Sequence, residues 1–254
     1  MSGQWAALPT GHAEDSSSSK KGKGEKDIKL SIIVPVYNEV KTIREVIRRI
    51  QAVGEVEKEI IIVDDGSNDG TRQELETLGM ERLENITILF HKRNLGKGTA
   101  IRTGLEHAHG EIVIIQDADL EQDPADYPYL LEPFRNPEIQ VVYGSRILGS
   151  NPRPSWSFYW GVRLLTWITN LLYGANITDE ATGYKVFRTA LLRELDLESV
   201  GFEFCPEVTA KVLRQGMQIY EVPIFYQPRS KEEGKKIRWK DGAVAIWTLL
   251  KYRF

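Results

Sequence analysis

Asp117 and Asp119 flank a single alanine in the stretch VIIQDADLEQDP, and Glu121 follows two residues later. Residues i and i+2 of an extended segment point the same way, so the two aspartates can face one ligand together. Bare carboxylates a few Å apart repel, and one of them takes up a proton unless a cation sits between them. An all-oxygen pair suits a hard divalent ion, Mg²⁺ or Mn²⁺, which accepts one or two protein carboxylates and completes its shell with phosphate oxygens. The residues therefore point to one side of a metal–diphosphate bridge. The alternative is a solvated turn in which Asp119 caps the next helix.

The elements that position these acids follow from the pattern of the chain. LSIIVPVY, EIIIVDDGS, ITILFH, EIVIIQ and QVVYGSR are apolar and β-branched runs, read as five buried strands. Between them EVKTIREVIRRIQAV, DGTRQELETL, KGTAIRTGLEHA and PADYPYLLEPF are read as helices, the second with Asn68 or Asp69 as its N-cap. Continuously apolar strands separated by helices predict an α/β fold with a mostly parallel, Rossmann-like sheet covered on both faces. Such sheets place ligands at the carboxyl ends of their strands. Each polar cluster here falls at such an end: Tyr37-Asn38-Glu39, Asp64-Asp65, Asp117-Asp119-Glu121 and Ser145-Arg146. One such cluster is ordinary loop composition, whereas four in register indicate a site.

Composition sets the outer limits. The 254 residues are 41% hydrophobic and 27% charged, with a net charge of −3, so nothing pulls the chain globally toward nucleic acid. A single cysteine, Cys205, excludes an intrachain disulfide and fits a reducing, cytoplasmic setting. No secretory signal is evident, and residues 156–173, the most apolar stretch, are interrupted by Arg163 and polar side chains, so no spanning helix is expected. Residues 1–27, rich in Ser, Gly and Lys, are read as a disordered tail. No G-x-x-x-x-G-K-[ST] and no G-x-G-x-x-G after the first strand is present, which excludes a P-loop and argues against a dinucleotide site.

SIIVPVYNE, IIIVDDGSNDGT, NLGKGTAIRTG, DADLEQDP, YGSR and DEATGYKVFR, in that order, resemble the inverting family 2 glycosyltransferases of GT-A fold. The nearest branch is the polyprenyl- or dolichyl-phosphate hexose synthases, and the resemblance runs from about residue 29 to 240. It implies a GT-A domain over residues 28–228, followed by a basic loop and a C-terminal amphipathic helix over 229–254. It implies transfer of a hexose, mannose or glucose, from a nucleoside-diphosphate sugar such as GDP-mannose or UDP-glucose to polyprenyl phosphate. By the same resemblance Pro35, Tyr37 and Glu39 line the nucleoside pocket and Asp65 bonds the base or ribose. Asp117 and Asp119 are its D-x-D pair, and Glu121 stands where a third metal-shell residue is found, a position at which relatives often carry Gln. Lys97 either holds the donor or is a surface lysine. Arg146, Arg163, Arg229 and Lys236 are its phosphate-contacting positions.

The acceptor decides whether a base is needed. A sugar hydroxyl must lose a proton to a positioned carboxylate, whereas a phosphomonoester is already ionised and needs cations to position it. Asp179 is the acid that would serve as a base; its other reading is a cap on the turn before Gly183. A glycosyltransferase acting on a hydroxyl or a small phosphorylated acceptor is the first rival. A sugar nucleotidyltransferase is a second, though PVYNEVKT lacks the glycine-rich basic loop it would carry. A non-catalytic nucleotide-binding module is a third. Five of the six tryptophans (Trp156, Trp160, Trp167, Trp239 and Trp247) lie after residue 155. They belong either to a peripheral membrane contact or to the core of an appended lobe.

Overall fold

The computed structural model describes residues 29–54, 56–81, 85–152, 156–229 and 239–254. The expected N-terminal tail, Lys236 and most of the basic loop lie outside them.

Apolar runs with little alternation build the sheet. β1 (Leu30–Val36), β2 (Lys58–Asp64), β3 (Ile86–Phe90), β4 (Ile112–Ile115), β5 (Val141–Ser145), β6 (Lys185–Arg188) and β7 (Tyr220–Pro223) lie in the order β3-β2-β1-β4-β6-β5-β7. β6 pairs antiparallel with both β4 and β5, and every other pairing is parallel. Five strands match the apolar runs of the sequence. β6 and β7 have four residues each, too few to show a period.

Alternate residues of the strands feed two separate cores. Ile32, Val34, Ile60, Ile62, Ile112 and Ile114 meet α1 (Ile43–Ala52), α2 (Thr71–Met80) and α4 (Tyr127–Leu131) on one face. Ile33, Ile61, Val63, Val113 and Ile115 meet α3 (Lys97–Glu106), α6 (Thr189–Glu194) and α7 (Phe204–Arg214) on the other. α1 shows why: Ile43, Val46, Ile47 and Ile50 recur at helical spacing and all are buried. On the opposite face α3 lies so close to β1 that a Cβ on Gly104 would stand 2.6 Å from Ile33 Cγ2.

Two local expectations differ from the structure. The helix expected over PADYPYLLEPF is only five residues of α-helix, with 3₁₀ turns at Pro124–Asp126 and Glu132–Arg135. Pro128 and Pro133 lack the N–H groups a continuous ladder requires. At the start of α2 the N-cap position is Gly70, with φ 104°, and Asp69 caps from one residue earlier by accepting the Thr71 N–H at 3.0 Å.

α5 (Trp156–Tyr173) and α8 (Trp239–Arg253) pack against each other, and α8 also lies on α7. Among the described residues no helix is long and apolar enough to cross a membrane. Glu207 of α7 fastens this corner. Its carboxylate accepts the N–H groups of Glu198 and Ser199 at 2.8 Å each, Lys211 Nζ at 2.8 Å and the Tyr252 hydroxyl of α8 at 3.0 Å. Burial alone would raise its pKa, but the bonds from Lys211, Ser199 and the backbone hold it at about 2. A carboxylate with a depressed pKa stabilises fully above its unfolded value and loses that contribution as pH falls toward the folded one. Glu207→Gln is thus expected to lower stability by ~1–3 kcal/mol at pH 7 and by much less near pH 3, measured by urea unfolding at both.

Candidate active site

The sheet opens where the candidate residues converge. β1 pairs with β4 only as far as Ile33 opposite Ile115, while with β2 it continues to Val36 opposite Asp64. The chain order also reverses between β1 and β4, and open α/β sheets bind ligands at such a reversal. Pro35 and Tyr37 lie beyond the last β4 partner, at the mouth of this crevice.

From the β2 side, Asp65 is buried and accepts the N–H groups of Leu95 and Gly96 at 2.8 Å each, with His91 Nδ1 at 2.8 Å. These bonds fix the glycine turn that starts α3 and carries Lys97. Asp65 therefore holds that turn, beside the role of bonding the base or ribose that the resemblance implies for it. Asn38, at φ 53°, ties the two neighbouring loops together by accepting from Asn68 N and donating its own N–H to Ser67 Oγ, both at 2.9 Å.

From β4 comes the acid pair. Gln116 is buried and accepts the hydroxyls of Tyr127 at 2.8 Å and Tyr184 at 2.6 Å, anchoring the residue before Asp117. Asp117 Oδ1 lies 2.5 Å from Lys97 Nζ. Burial would lower the lysine pKa, but the Asp117 carboxylate raises it above its ordinary value, so the ammonium stays charged. Asp119 accepts the Glu121 N–H at 3.1 Å. Burial first, then the carboxylates of Asp117 and Glu121, push Asp119 up to about 7 against the pull of Arg229.

Arg229 closes the cluster from the far end of the chain. It donates Nη2 to Glu39 at 2.8 Å, Nε to the Asp119 carbonyl at 2.7 Å and its backbone N–H to Glu121 at 2.8 Å. Glu121 also accepts the Tyr226 hydroxyl at 3.2 Å. Its carboxylate is thus turned toward the 226–229 segment. Among the described residues no three His, Cys, Asp or Glu side chains form a metal-binding group, so the expected set of Asp117, Asp119 and Glu121 is not assembled as one.

Arg146 and Asp179 form the other wall. Asp179 is fully buried and takes both arms of the guanidinium, Nε and Nη2, at 2.7 Å each, plus the Arg146 N–H at 3.0 Å. Burial alone would lower the arginine pKa; Asp179 keeps it raised. The guanidinium lies over the Tyr226 ring, 5.1 Å from its centroid. Arg163 is exposed on α5, and among the described residues no hydrogen bond or ion pair joins it to this cluster. Lys236 lies outside the described residues.

Two carboxylates and no third fit Mg²⁺ or Mn²⁺, which leaves coordination positions for phosphate oxygens. The surroundings agree. A Cβ on Gly183 would stand 2.7 Å from Asp117 Oδ2 and 2.8 Å from Gln122 Oε1, so the glycine leaves that oxygen uncovered. Gln122 is buried, and both polar atoms of its amide lack hydrogen-bond partners among the described residues. Such a buried amide has bonding capacity left for a ligand or water.

Tyr226, Gln116, Gln122 and Thr42, which donates to Glu39 at 2.9 Å, carry no signal in the sequence. Nothing local marks them, since Tyr226 meets Glu121 across 105 residues.

Comparison with known proteins supplies the family. A family model described as glycosyl transferase family 2 matches residues 31–196. An undecaprenyl-phosphate mannosyltransferase of Micrococcus luteus is 32% identical over 215 residues, 80% of this chain and 85% of that protein. A dolichol-phosphate mannosyltransferase of Pyrococcus furiosus is 27% identical over 82% of this chain, which spans only 59% of that protein's length. The structure of glucosyl-3-phosphoglycerate synthase from Mycobacterium tuberculosis with Mn²⁺, UDP and glucosyl-3-phosphoglycerate superposes with a TM-score of 0.67 at 23% identity. That match covers 89% of this chain and 80% of the other, and it shows the shared GT-A-like fold. The family model matches more than half of the chain and the Micrococcus relative is 32% identical over 80% of it, so the chain belongs to glycosyl transferase family 2.

Proposed function

We propose that the protein transfers a hexose, mannose or glucose, from a GDP- or UDP-sugar to a polyprenyl phosphate with inversion. The observation that carries the acceptor class is the state of Asp179. A hydroxyl acceptor needs a carboxylate free to take its proton. Asp179 is fully buried and spends both oxygens on Arg146, which leaves it a holder of that arginine. A phosphate acceptor arrives ionised and asks only for positioned cations.

Asp117 and Asp119 would hold Mg²⁺ or Mn²⁺, which supplies charge neutralisation to the departing nucleoside diphosphate when bound. Lys97, kept charged beside Asp117, adds a second cation at the same place. Pro35, Tyr37 and Glu39 border the crevice that receives the nucleoside. Arg146 and Arg229, each oriented by a carboxylate, position the acceptor phosphate, a role the resemblance also implies for Arg163 and Lys236. The names of the Micrococcus and Pyrococcus relatives support this acceptor class and favour mannose.

The test is product formation with GDP- and UDP-sugars and Mn²⁺, offered polyprenyl phosphate, soluble phosphate esters or free sugars. Transfer to the lipid phosphate, abolished by chelation, is expected. Transfer to sugar hydroxyls alone would refute the reading. A thermal-shift panel of the same nucleotides identifies the donor, since a ligand present at ~100 times its Kd stabilises the fold by about 2.7 kcal/mol.

A further inference from the structure

We propose that the outer face of α5 is a docking surface for an anionic lipid bilayer. The proposal deepens the lipid-phosphate reading and rests on it for its biological sense. Trp160, Leu164, Trp167 and Leu171 are 62%, 53%, 60% and 67% exposed. At 100° per residue they and Trp156 fall within an arc of about 80°, on a helix about 27 Å long. Val162, Thr166 and Thr169 on the opposite side of the helix are buried. The sequence left these tryptophans divided between core and surface, and the structure places the described ones on the surface.

A bilayer, as opposed to a second copy, fits the chemistry of the surroundings. Tryptophan beside basic side chains is the composition that lies in a headgroup layer, with the ring buried and the indole N–H wet. α5 contains no acidic residue. Arg163 is exposed at the edge of the stripe, and Lys240 and Arg253 are exposed on the neighbouring α8, where Trp247 is exposed as well; there Lys251 is paired with Glu198 at 3.1 Å, and Asp241 is the acidic residue of the helix's first turn. An anionic surface complements that rim.

The inner face of the same helix is tied to the site. Thr166 Oγ1 accepts the Glu180 N–H at 3.1 Å, and the Asn170 side chain donates to the Ile177 carbonyl at 2.8 Å while accepting the Ile177 N–H at 3.1 Å. These bonds hold the segment that bears Asp179, the partner of Arg146. A helix seated on lipid would thereby set the acceptor end of the site at a fixed height above the membrane.

The test is co-sedimentation of the full chain with vesicles of equimolar phosphatidylcholine and phosphatidylglycerol. Wild type is expected to sediment, more weakly with phosphatidylcholine alone. The Trp160→Ser/Leu164→Ser/Trp167→Ser variant is expected to lose ~tenfold or more of its partitioning with Tm unchanged. Should that variant fold poorly, quenching of wild-type tryptophan fluorescence by brominated lipid decides instead. Three results would overturn the proposal: wild type left in the supernatant, equal sedimentation of the variant, or a dimer in solution that the substitutions dissociate without vesicle binding. Transfer to a short-chain, water-soluble isoprenyl phosphate without vesicles separates the two ideas. If it proceeds while vesicles do not bind, only the surface is wrong; if vesicles bind and it fails, the acceptor reading is wrong.

Discussion

Asp119→Asn is expected to lower kcat/KM by ~10³ or more while leaving the fold at least as stable as wild type. On the proposed reading the loss follows from removing one of the two carboxylates that would hold a cation against the diphosphate; a thousandfold corresponds to about 4 kcal/mol of barrier. The stability effect has the opposite sign because Asp119 is held under strain of charge. Its pKa is raised from 3.8 to about 7, so the folded protein carries an electrostatic penalty that is absent below the unfolded value and complete above the folded one. Asparagine keeps the oxygen that accepts the Glu121 N–H and removes the charge. With chelator present the variant should match wild type near pH 4 and gain about 1–2 kcal/mol at pH 8, after allowing for water at the partly exposed carboxyl. Chemical denaturation at both pH values checks this. A variant destabilised at pH 8 would show that Asp119 is structural.

Asp179→Ala should act in the opposite way and cost ~3–5 kcal/mol of stability, roughly 10 °C in Tm. The Arg146 side chain is 11% exposed, and Asp179 supplies the opposing charge to its guanidinium. Removing the acid strands a buried cation. Joint replacement, Arg146→Met with Asp179→Leu, should recover most of the loss, because both charges then leave together. The double-mutant cycle is read by thermal unfolding. Normal stability with abolished transfer to a hydroxyl acceptor in Asp179→Asn would instead mark Asp179 as a base and revive that reading.

What the sequence discloses and what it hides divides along a physical line. Apolar runs disclose β1 to β5 because a strand covered on both faces must be apolar throughout, and strand ends then locate the polar clusters. β6 and β7 stay hidden because four residues carry no usable period. The proline-broken segment around α4 misleads because its apolar pattern is helical while its donors are missing. That acids fall at strand ends is legible; what each acid holds is not. Arg229 reaches Glu39 across 190 residues, and no local pattern encodes such a pairing. Asp65 shows the same gap: its type and position suit a ligand, and only the fold reveals the turn it fastens. The tryptophans are ambiguous in sequence for a related reason, since the α5 stripe would read identically if another element covered it.

The most direct measurement is the electron paramagnetic resonance spectrum of Mn²⁺ titrated with the protein in the presence of a nucleoside diphosphate. The free-ion signal should fall with wild type as a ternary complex forms, and should persist with the Asp117→Asn/Asp119→Asn variant. Equal loss of signal with that variant would mean the cation sits elsewhere, and the acids at the end of β4 would then have no part in holding the donor.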